Sequence, residues 1–140
     1  MKFGKARIFG LALLFAHGLA ADWKPVRVVG LEYPEVALIQ GLEGTVKIDL
    51  YIAHDGSVIE AYAAPREDAL AAAAVRNARE WKFRRINSAN AGQYTLTYRF
   101  QIRRGEGARG PSEFRFVMPD QVFVTAAERP AKPASAKDGR

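Results

Sequence analysis

Residues 70–83, LAAAAVRNAREWKF, set the expected architecture. Alanine has the highest helix propensity of any residue, and Glu67 and Asp68 precede the run, where a helix N-terminus favours negative charge. The apolar residues recur at spacings of three and four and therefore share one face: Leu70, Ala73, Ala74, Ala78 and Trp81. We predict a helix that lies close on a sheet through its small residues, with Trp81 closing the contact. Asn77 lies near this face and needs a hydrogen-bond partner if it is buried.

Two segments around this helix alternate apolar and polar residues, the period of a strand with one buried face. The first covers 45–52 and returns through 57–63 after Asp55-Gly56, a pair favoured in tight reversals. The second covers 94–102. The order strand, strand, helix, strand predicts an α+β fold, a small antiparallel sheet of three or more strands with one main helix packed on it and one edge strand unpaired. The expected core residues are Val46, Ile48, Leu50, Leu70, Ala74, Trp81, Phe83, Tyr98 and Phe100.

Shorter elements are expected before this unit. Residues 23–30 indicate a short leading strand. Tyr33-Pro34 begins a short helix, because proline suits the first helical turn, and its apolar face would comprise Val36, Ala37 and Ile39.

The part of the chain after Phe83 is expected to continue as a polar loop and then as the second long strand. A glycine-rich loop covers 103–111, and two strand-like pieces follow, Glu113–Met118 and Gln121–Ala126, with Pro119-Asp120 as the turn. Residues 128–140 contain no large apolar side chain, so we expect them to be disordered.

The N-terminus has the three parts of a secretory signal: a basic start, an apolar run from Ile8 to Ala16, and small residues before a cleavage point after Ala20. A membrane span needs about 17–25 residues, and the run from Ile8 to Ala16 is shorter than that. We therefore expect cleavage and a periplasmic location, with an uncleaved anchor as the alternative. Three basic residues of this leader account for half of the net charge of +6. The remaining charge of about +3 is too mild to indicate nucleic-acid binding.

The residue types give little support to an enzyme or a metal site. The chain has no cysteine, which excludes disulfides and thiolate metal sites. His54 is the only histidine of the expected mature chain, and a lone histidine lacks the partners that a metal or acid–base site requires. We predict no catalytic residue, no metal and no cofactor. A basic cluster is interpreted as a solvated face, with contact to an anionic cell-wall polymer or a lipid surface left open: Arg76, Arg79, Lys82, Arg84 and Arg85.

The ordered middle of the chain, about residues 25–102, resembles the C-terminal domain of the TonB family of energy transducers. The order and spacing of several motifs carry the resemblance: Tyr33-Pro34 with Ala37 and Gly41, Gly44-x-Val46, Asp55-Gly56-x-Val58, Leu70-x-x-Ala73-Ala74, Arg79-x-Trp81-x-Phe83, and the strand around Tyr98 and Phe100. The chain departs from the family at Pro65–Asp68, where a Ser/Gly-rich turn is usual, and at Arg85, where proline is usual. It also has no Pro-rich spacer between Ala21 and Tyr33.

The resemblance implies a domain that adds an extended peptide, the TonB box of an outer-membrane receptor, as a strand to its sheet edge. The implied partner is an outer-membrane TonB-dependent receptor or another TonB-like protein, in transport across the outer membrane. Homodimerisation and contact with peptidoglycan are left open. On this chain the peptide-binding edge strand would present Tyr94, Thr95, Thr97, Arg99 and Gln101.

The segment 120–127, DQVFVTAA, itself looks like a TonB box, attached here to the domain that would bind one. Its box-like positions are Asp120, Val122, Val124 and Thr125. Either it pairs with the free sheet edge, in the same molecule or a neighbour, or it forms an ordinary terminal hairpin with the strand before it.

The chain is expected to divide into a signal peptide at 1–20, a TonB-like domain at 21–102, a strand-forming extension at 103–127 and a tail at 128–140. Two classes of function are consistent with this division. One is a periplasmic adaptor that binds TonB-box segments. The other is a periplasmic structural or self-associating module that contacts the cell wall, with its C-terminal strand covering its own sheet edge.

Overall fold

The computed structural model describes residues 23–64, 66–86 and 92–129. The expected leader at 1–20 and most of the expected tail lie outside these residues. The helices are α1 (Glu35–Gln40) and α2 (Ala69–Ala78). The strands are β1 (Trp23–Arg27), β2 (Gly44–Ile52), β3 (Val58–Ala63), β4 (Lys82–Arg85), β5 (Gly92–Arg103), β6 (Glu113–Val117) and β7 (Gln121–Ala127).

Five of the strands form one sheet in the order β3-β2-β5-β7-β6, and β1 pairs with β4 in a separate two-stranded ribbon. The predicted α+β class is confirmed, with α2 as the main helix on the sheet. The sheet is larger than the predicted minimum and includes one parallel pair, β5 with β7. The pair is parallel because the second strand of the β6–β7 hairpin, rather than the first, lies on β5.

Asp68 caps the N-terminus of α2: its carboxylate Oδ1 accepts hydrogen bonds from the backbone N–H groups of Leu70 and Ala71 at 3.1 and 3.2 Å. It ends at Ala78, so Trp81 follows the helix in a turn and does not belong to it. All nine residues expected in the core are buried, and Trp81 is completely enclosed.

Two local expectations are wrong. In α1 the buried residue is Ala37, whereas Val36 and Ile39 are exposed, because only one side of this short helix faces the core. The residues after Phe83 were expected in a loop, yet Arg84 and Arg85 belong to β4, which covers Lys82–Arg85. This strand exists because β1 supplies an antiparallel partner more than fifty residues away in sequence, which no local pattern indicates.

The buried side chain of Asn77 joins four parts of the fold. Its amide nitrogen donates to the carbonyl oxygens of Val29 and Gly30 at 2.9 and 3.0 Å. Its amide oxygen accepts from Trp81 Nε1 at 3.0 Å and from the Tyr98 hydroxyl at 2.7 Å. Burial raises the pKa of Tyr98, so this hydroxyl stays protonated and remains a donor. The polar atoms of the amide are therefore satisfied, as a buried amide requires.

We predict that Asn77→Ala lowers the free energy of unfolding by about 3–5 kcal/mol, because two buried donors lose their acceptor and two carbonyls lose their donor. Urea denaturation measures the loss. Tyr98→Phe should cost about 1 kcal/mol, since it removes one bond and leaves the amide paired with Trp81. The exposed Arg76→Ala on the same helix serves as the control, with a change within about 0.5 kcal/mol. A loss of under 1 kcal/mol for Asn77→Ala would show that the hydrogen bonds of this amide do not hold these segments together.

The connection between β2 and β3 is a five-residue loop at 53–57, longer than the two-residue turn expected from Asp55-Gly56. The N–H of Ser57 bonds the carboxylate of Asp55 at 2.9 Å. Gly56 has φ +90°, and a Cβ built on it would lie 1.9 Å from the carbonyl oxygen of Phe83. Its own carbonyl accepts from the N–H of Phe83 at 2.9 Å. The loop thus fastens the hairpin to β4, and only glycine permits this approach.

Gly56→Ala should therefore destabilise the protein by about 3 kcal/mol or more, through steric overlap in addition to backbone strain. Gly105→Ala is the matched control, because Gly105 has a similar φ of +96° but open space around it. That change should cost about 1–2 kcal/mol, from strain alone. Thermal or urea unfolding of both variants measures the difference, and equal losses would contradict a steric role for Gly56.

Candidate functional site

The outer edge of β5 is not free. From Thr97 to Arg103 it pairs in parallel with Gln121–Ala127 of the same molecule. The pairing begins with the N–H of Thr97 donating to the carbonyl of Asp120 at 2.9 Å and ends with the N–H of Glu128 donating to the carbonyl of Arg103 at 2.8 Å. The expectation of an unpaired β5 is corrected, because β7 supplies the missing neighbour. The edges of the described five-stranded sheet are β3 and β6.

The five residues expected to present the edge have different surroundings. Tyr94 is buried against Phe83, with ring centroids 4.9 Å apart, and its hydroxyl donates to the carbonyl of Pro119. Burial, with a contribution from the charge of Asp120, raises the pKa of Tyr94 to about 12. Thr95 donates to the carboxylate of Asp49 at 2.8 Å. These two residues lie before the stretch that β7 covers.

The other three expected residues lie directly beside β7. In the parallel register Thr97 is opposite Gln121, Arg99 opposite Phe123 and Gln101 opposite Thr125. Arg99 Nε also donates to Gln121 Oε1 at 3.2 Å. These residues form the covered length of the edge.

The box-like positions are held in two ways, by side-chain burial and by backbone hydrogen bonds. Val122 and Val124 are fully buried in the main core. Thr125 accepts through its carbonyl from the hydroxyl of Ser112, which in turn accepts from the N–H of Tyr33. Asp120 supplies the carbonyl that starts the pairing with β5. The two valines thus anchor β7 through side chains, while the ends of the strand are held through backbone groups.

The strand β6 adds a second anchor on the outer side of β7. Phe116 meets the ring of Trp81 edge-on, with centroids 5.1 Å apart. Phe114 is partly buried against the same core. The β6–β7 hairpin therefore packs in the core of the domain, although the sequence led us to expect residues 103–127 as an extension after the domain.

A cluster of charges holds the end of β7 to the rest of the domain. Glu43 accepts from the backbone N–H of Ile102 and from Arg104 Nη1, both at 2.8 Å. Arg104 also bonds Glu128 at 3.0 Å, just after β7. The backbone bond from Ile102 is the main reason that the pKa of Glu43 is lowered, and Arg104 adds to it. We call these three side chains the Glu43 clasp.

Sequence reasoning missed the clasp and Phe116. Glu43 directly precedes a strand and Arg104 directly follows one, but nothing in the alternating pattern marks them as partners. In the sequence, Phe116 lies within the strand-like piece Glu113–Met118, which does not indicate contact with Trp81. The one available signal was the alternation of Phe114 and Phe116 with charged residues, which indicates a buried face.

Within 23–64, 66–86 and 92–129, no group of three or more His, Asp or Glu side chains is placed to hold a metal ion. His54 is exposed in the loop between β2 and β3. None of the helices in this part of the chain is long and apolar enough to cross a membrane. What the site offers is a row of backbone hydrogen bonds along β5.

The family comparison agrees with the resemblance seen in the sequence. Residues 29–102 match the family described as the C-terminal of the Gram-negative bacterial TonB protein. The solution NMR structure of the Pseudomonas aeruginosa TonB C-terminal domain is 28% identical in sequence, with a TM-score of 0.42. The match covers 56% of this chain and 85% of the Pseudomonas chain. No curated protein matches the chain.

The matched region includes β2, β3, α2, β4 and nearly all of β5, and it ends at Ile102, before the β6–β7 hairpin. Domains of this type are non-enzymatic parts of the cell envelope. The chain belongs to the family of TonB C-terminal domains, which act in energy transduction in the Gram-negative envelope.

Proposed function

We propose that this domain binds extended peptide segments of the TonB-box type by strand addition at the outer edge of β5. One observation carries the proposal. Over Thr97–Arg103 this edge already accommodates a strand in parallel register, and that strand has the box-like sequence at 120–127. Strand addition of this kind derives affinity from backbone hydrogen bonds and specificity from alternate side chains.

The surroundings of β7 describe the peptide that would fit. Val122 and Val124 enter the core, while Phe123 and Thr125 point away from it and are half-buried. An incoming strand therefore needs small or medium apolar residues at alternate positions. A receptor segment with the same pattern would refill both sites, and a polar or charged strand would not.

Binding at this edge requires the hairpin to leave. A tethered competitor acts at an effective concentration on the order of millimolar, so β7 should weaken binding of any free peptide. The linker at 104–112 contains Gly105, Gly107 and Gly110, each with positive φ. In this arrangement the hairpin is an inhibitor that a receptor strand must displace.

A second candidate function rests on how deeply the hairpin is packed. Val122 and Val124 are fully buried, and Phe116 covers Trp81. This favours a structural envelope module whose C-terminal strand closes its own sheet edge permanently. The two candidates differ in one respect, whether β7 ever exchanges with a strand from another molecule.

A synthetic peptide with the sequence of residues 120–128 distinguishes the two candidates. The native chain should bind it weakly. Phe116→Ala removes the contact with Trp81 without altering the β5 edge, so it should loosen the hairpin and raise affinity at least tenfold. Adding Arg99→Cys and Phe123→Cys to this variant places two cysteines opposite each other across the β5–β7 pair. Binding should be lost when they are oxidised and return on reduction. Isothermal titration calorimetry measures each affinity.

The reduced form of the cysteine variant is the matched control, because it has the same composition and differs only in the lock. A peptide with the same residues in scrambled order should not bind. Equal affinities in the oxidised and reduced forms would place binding away from β5. A chain ending at Arg109, once shown to be folded by circular dichroism, should bind more tightly than the full chain. If neither it nor the loosened variant binds, the structural candidate stands.

The Glu43 clasp predicts a pH dependence of the hairpin. The pKa of Glu43 is lowered in the folded protein, so its stabilising effect is present above the ordinary value of 4.5 and is lost as the pH falls through the folded value. At pH 7 Glu43→Gln should cost about 0.5–1 kcal/mol, since the group is partly exposed. The difference from the native protein should shrink as the pH falls below the ordinary value of 4.5. Amide hydrogen exchange at Ile102 and Val122 measures this difference in stability between Glu43→Gln and the native protein. If the difference stays constant as the pH changes, the carboxylate does not have the role described.

A further inference from the structure

The ribbon of β1 and β4 has one buried face and one exposed face. Trp23, Pro25 and Phe83 point inward and are buried. Arg85 lies over the ring of Trp23, 5.9 Å from its centroid. The exposed face carries four cations, Lys24, Arg27, Lys82 and Arg84.

These four cations are arranged as two facing pairs. In the antiparallel register Lys24 is opposite Arg84, and Arg27 is opposite Lys82. Like charges directly opposite each other destabilise a sheet. None of the ion pairs within 23–64, 66–86 and 92–129 involves any of the four, although the charge of Lys82 acts on nearby Asp55. A structural role for the charges is therefore hard to support, since the fold gains nothing from placing them together.

Exposed apolar side chains adjoin the same cations. Val26 lies within β1 and is 54% exposed, Val28 follows β1, and Ile86 follows β4 and is 57% exposed. A binding surface for a purely ionic polymer has no use for exposed aliphatic side chains. A lipid interface uses both, because cations meet the headgroups while apolar side chains enter the acyl boundary.

We propose that the exposed face of the β1–β4 ribbon binds the surface of an anionic phospholipid bilayer. Its position along the chain agrees with this. Only six residues separate the apolar run ending at Ala16 from the start of β1, so any molecule that retains the predicted leader would hold the ribbon at the membrane. In the secreted form the same cations and aliphatic residues give a reversible contact. This surface is formed by different strands from the peptide edge and functions independently of it.

The experiment uses the predicted secreted form, beginning at Ala21, and vesicles of phosphatidylcholine with or without about one third phosphatidylglycerol. Co-sedimentation should show binding that requires phosphatidylglycerol and weakens with salt. Each cation near an anionic surface contributes about fivefold. Lys24→Gln with Arg84→Gln should therefore lower the partition coefficient roughly 30-fold. Val26→Ser with Ile86→Ser should lower it without changing the salt dependence.

The matched control is Lys47→Gln with Arg109→Gln, which removes the same charge from exposed positions elsewhere. It should leave binding within about twofold of the native protein. The ribbon double variant should unfold at the same temperature as the native protein or higher, because a facing pair of like charges is removed. If the control Lys47→Gln with Arg109→Gln lowers the partition coefficient as much as Lys24→Gln with Arg84→Gln does, net charge alone explains the binding and the proposal is overturned. Binding to isolated peptidoglycan but not to vesicles would also overturn it.

Discussion

The buried amide of Asn77 fixes how the helix, the sheet and the N-terminal segment sit on one another. Apolar contacts are non-directional, so the alanine face of α2 could slide on the sheet with little loss. The bonds from Asn77 to Trp81 and Tyr98 remove that freedom, because each has a defined length and direction. They also hold the indole of Trp81 where Phe116 can meet its edge. The position of the C-terminal hairpin thus depends on the amide of Asn77, through the indole of Trp81.

The coverage of β5 follows from two contributions of different kinds. An open central strand would expose a row of unpaired backbone groups, which invites aggregation. Each backbone bond between β5 and β7 contributes about 1 kcal/mol. Burial of Val122 and Val124 adds about 3–6 kcal/mol between them. The two contributions are therefore of similar size. Together they hold β7 on this edge, and the backbone register sets where it lies.

The sequence was sufficient for the features that local patterns determine. The alternation in 45–52 and 94–102 located the two central strands, and the spacing from Leu70 to Trp81 located the helix and its buried face. It was insufficient where the partner is distant. The strand Lys82–Arg85 depends on β1, and the fate of the β5 edge depends on β7; neither pairing leaves a periodic signal. The box-like segment was recognised, but two placements for it remained open until the register was seen.

The hairpin also limits what can replace it. Among the strands that the structure describes, β6 pairs with β7 alone. The two must therefore leave the sheet together, and Phe116 leaves Trp81 with them. An incoming peptide that refills the sites of Val122 and Val124 restores the core beside β5 but brings no ring to Trp81. An aromatic edge contact contributes about 0.5–1.5 kcal/mol beyond the area it buries. Exchange is therefore uphill for a peptide that merely copies β7. A receptor segment must supply a further contact near Trp81, or the hairpin must be held away by other means, before the edge of β5 becomes available.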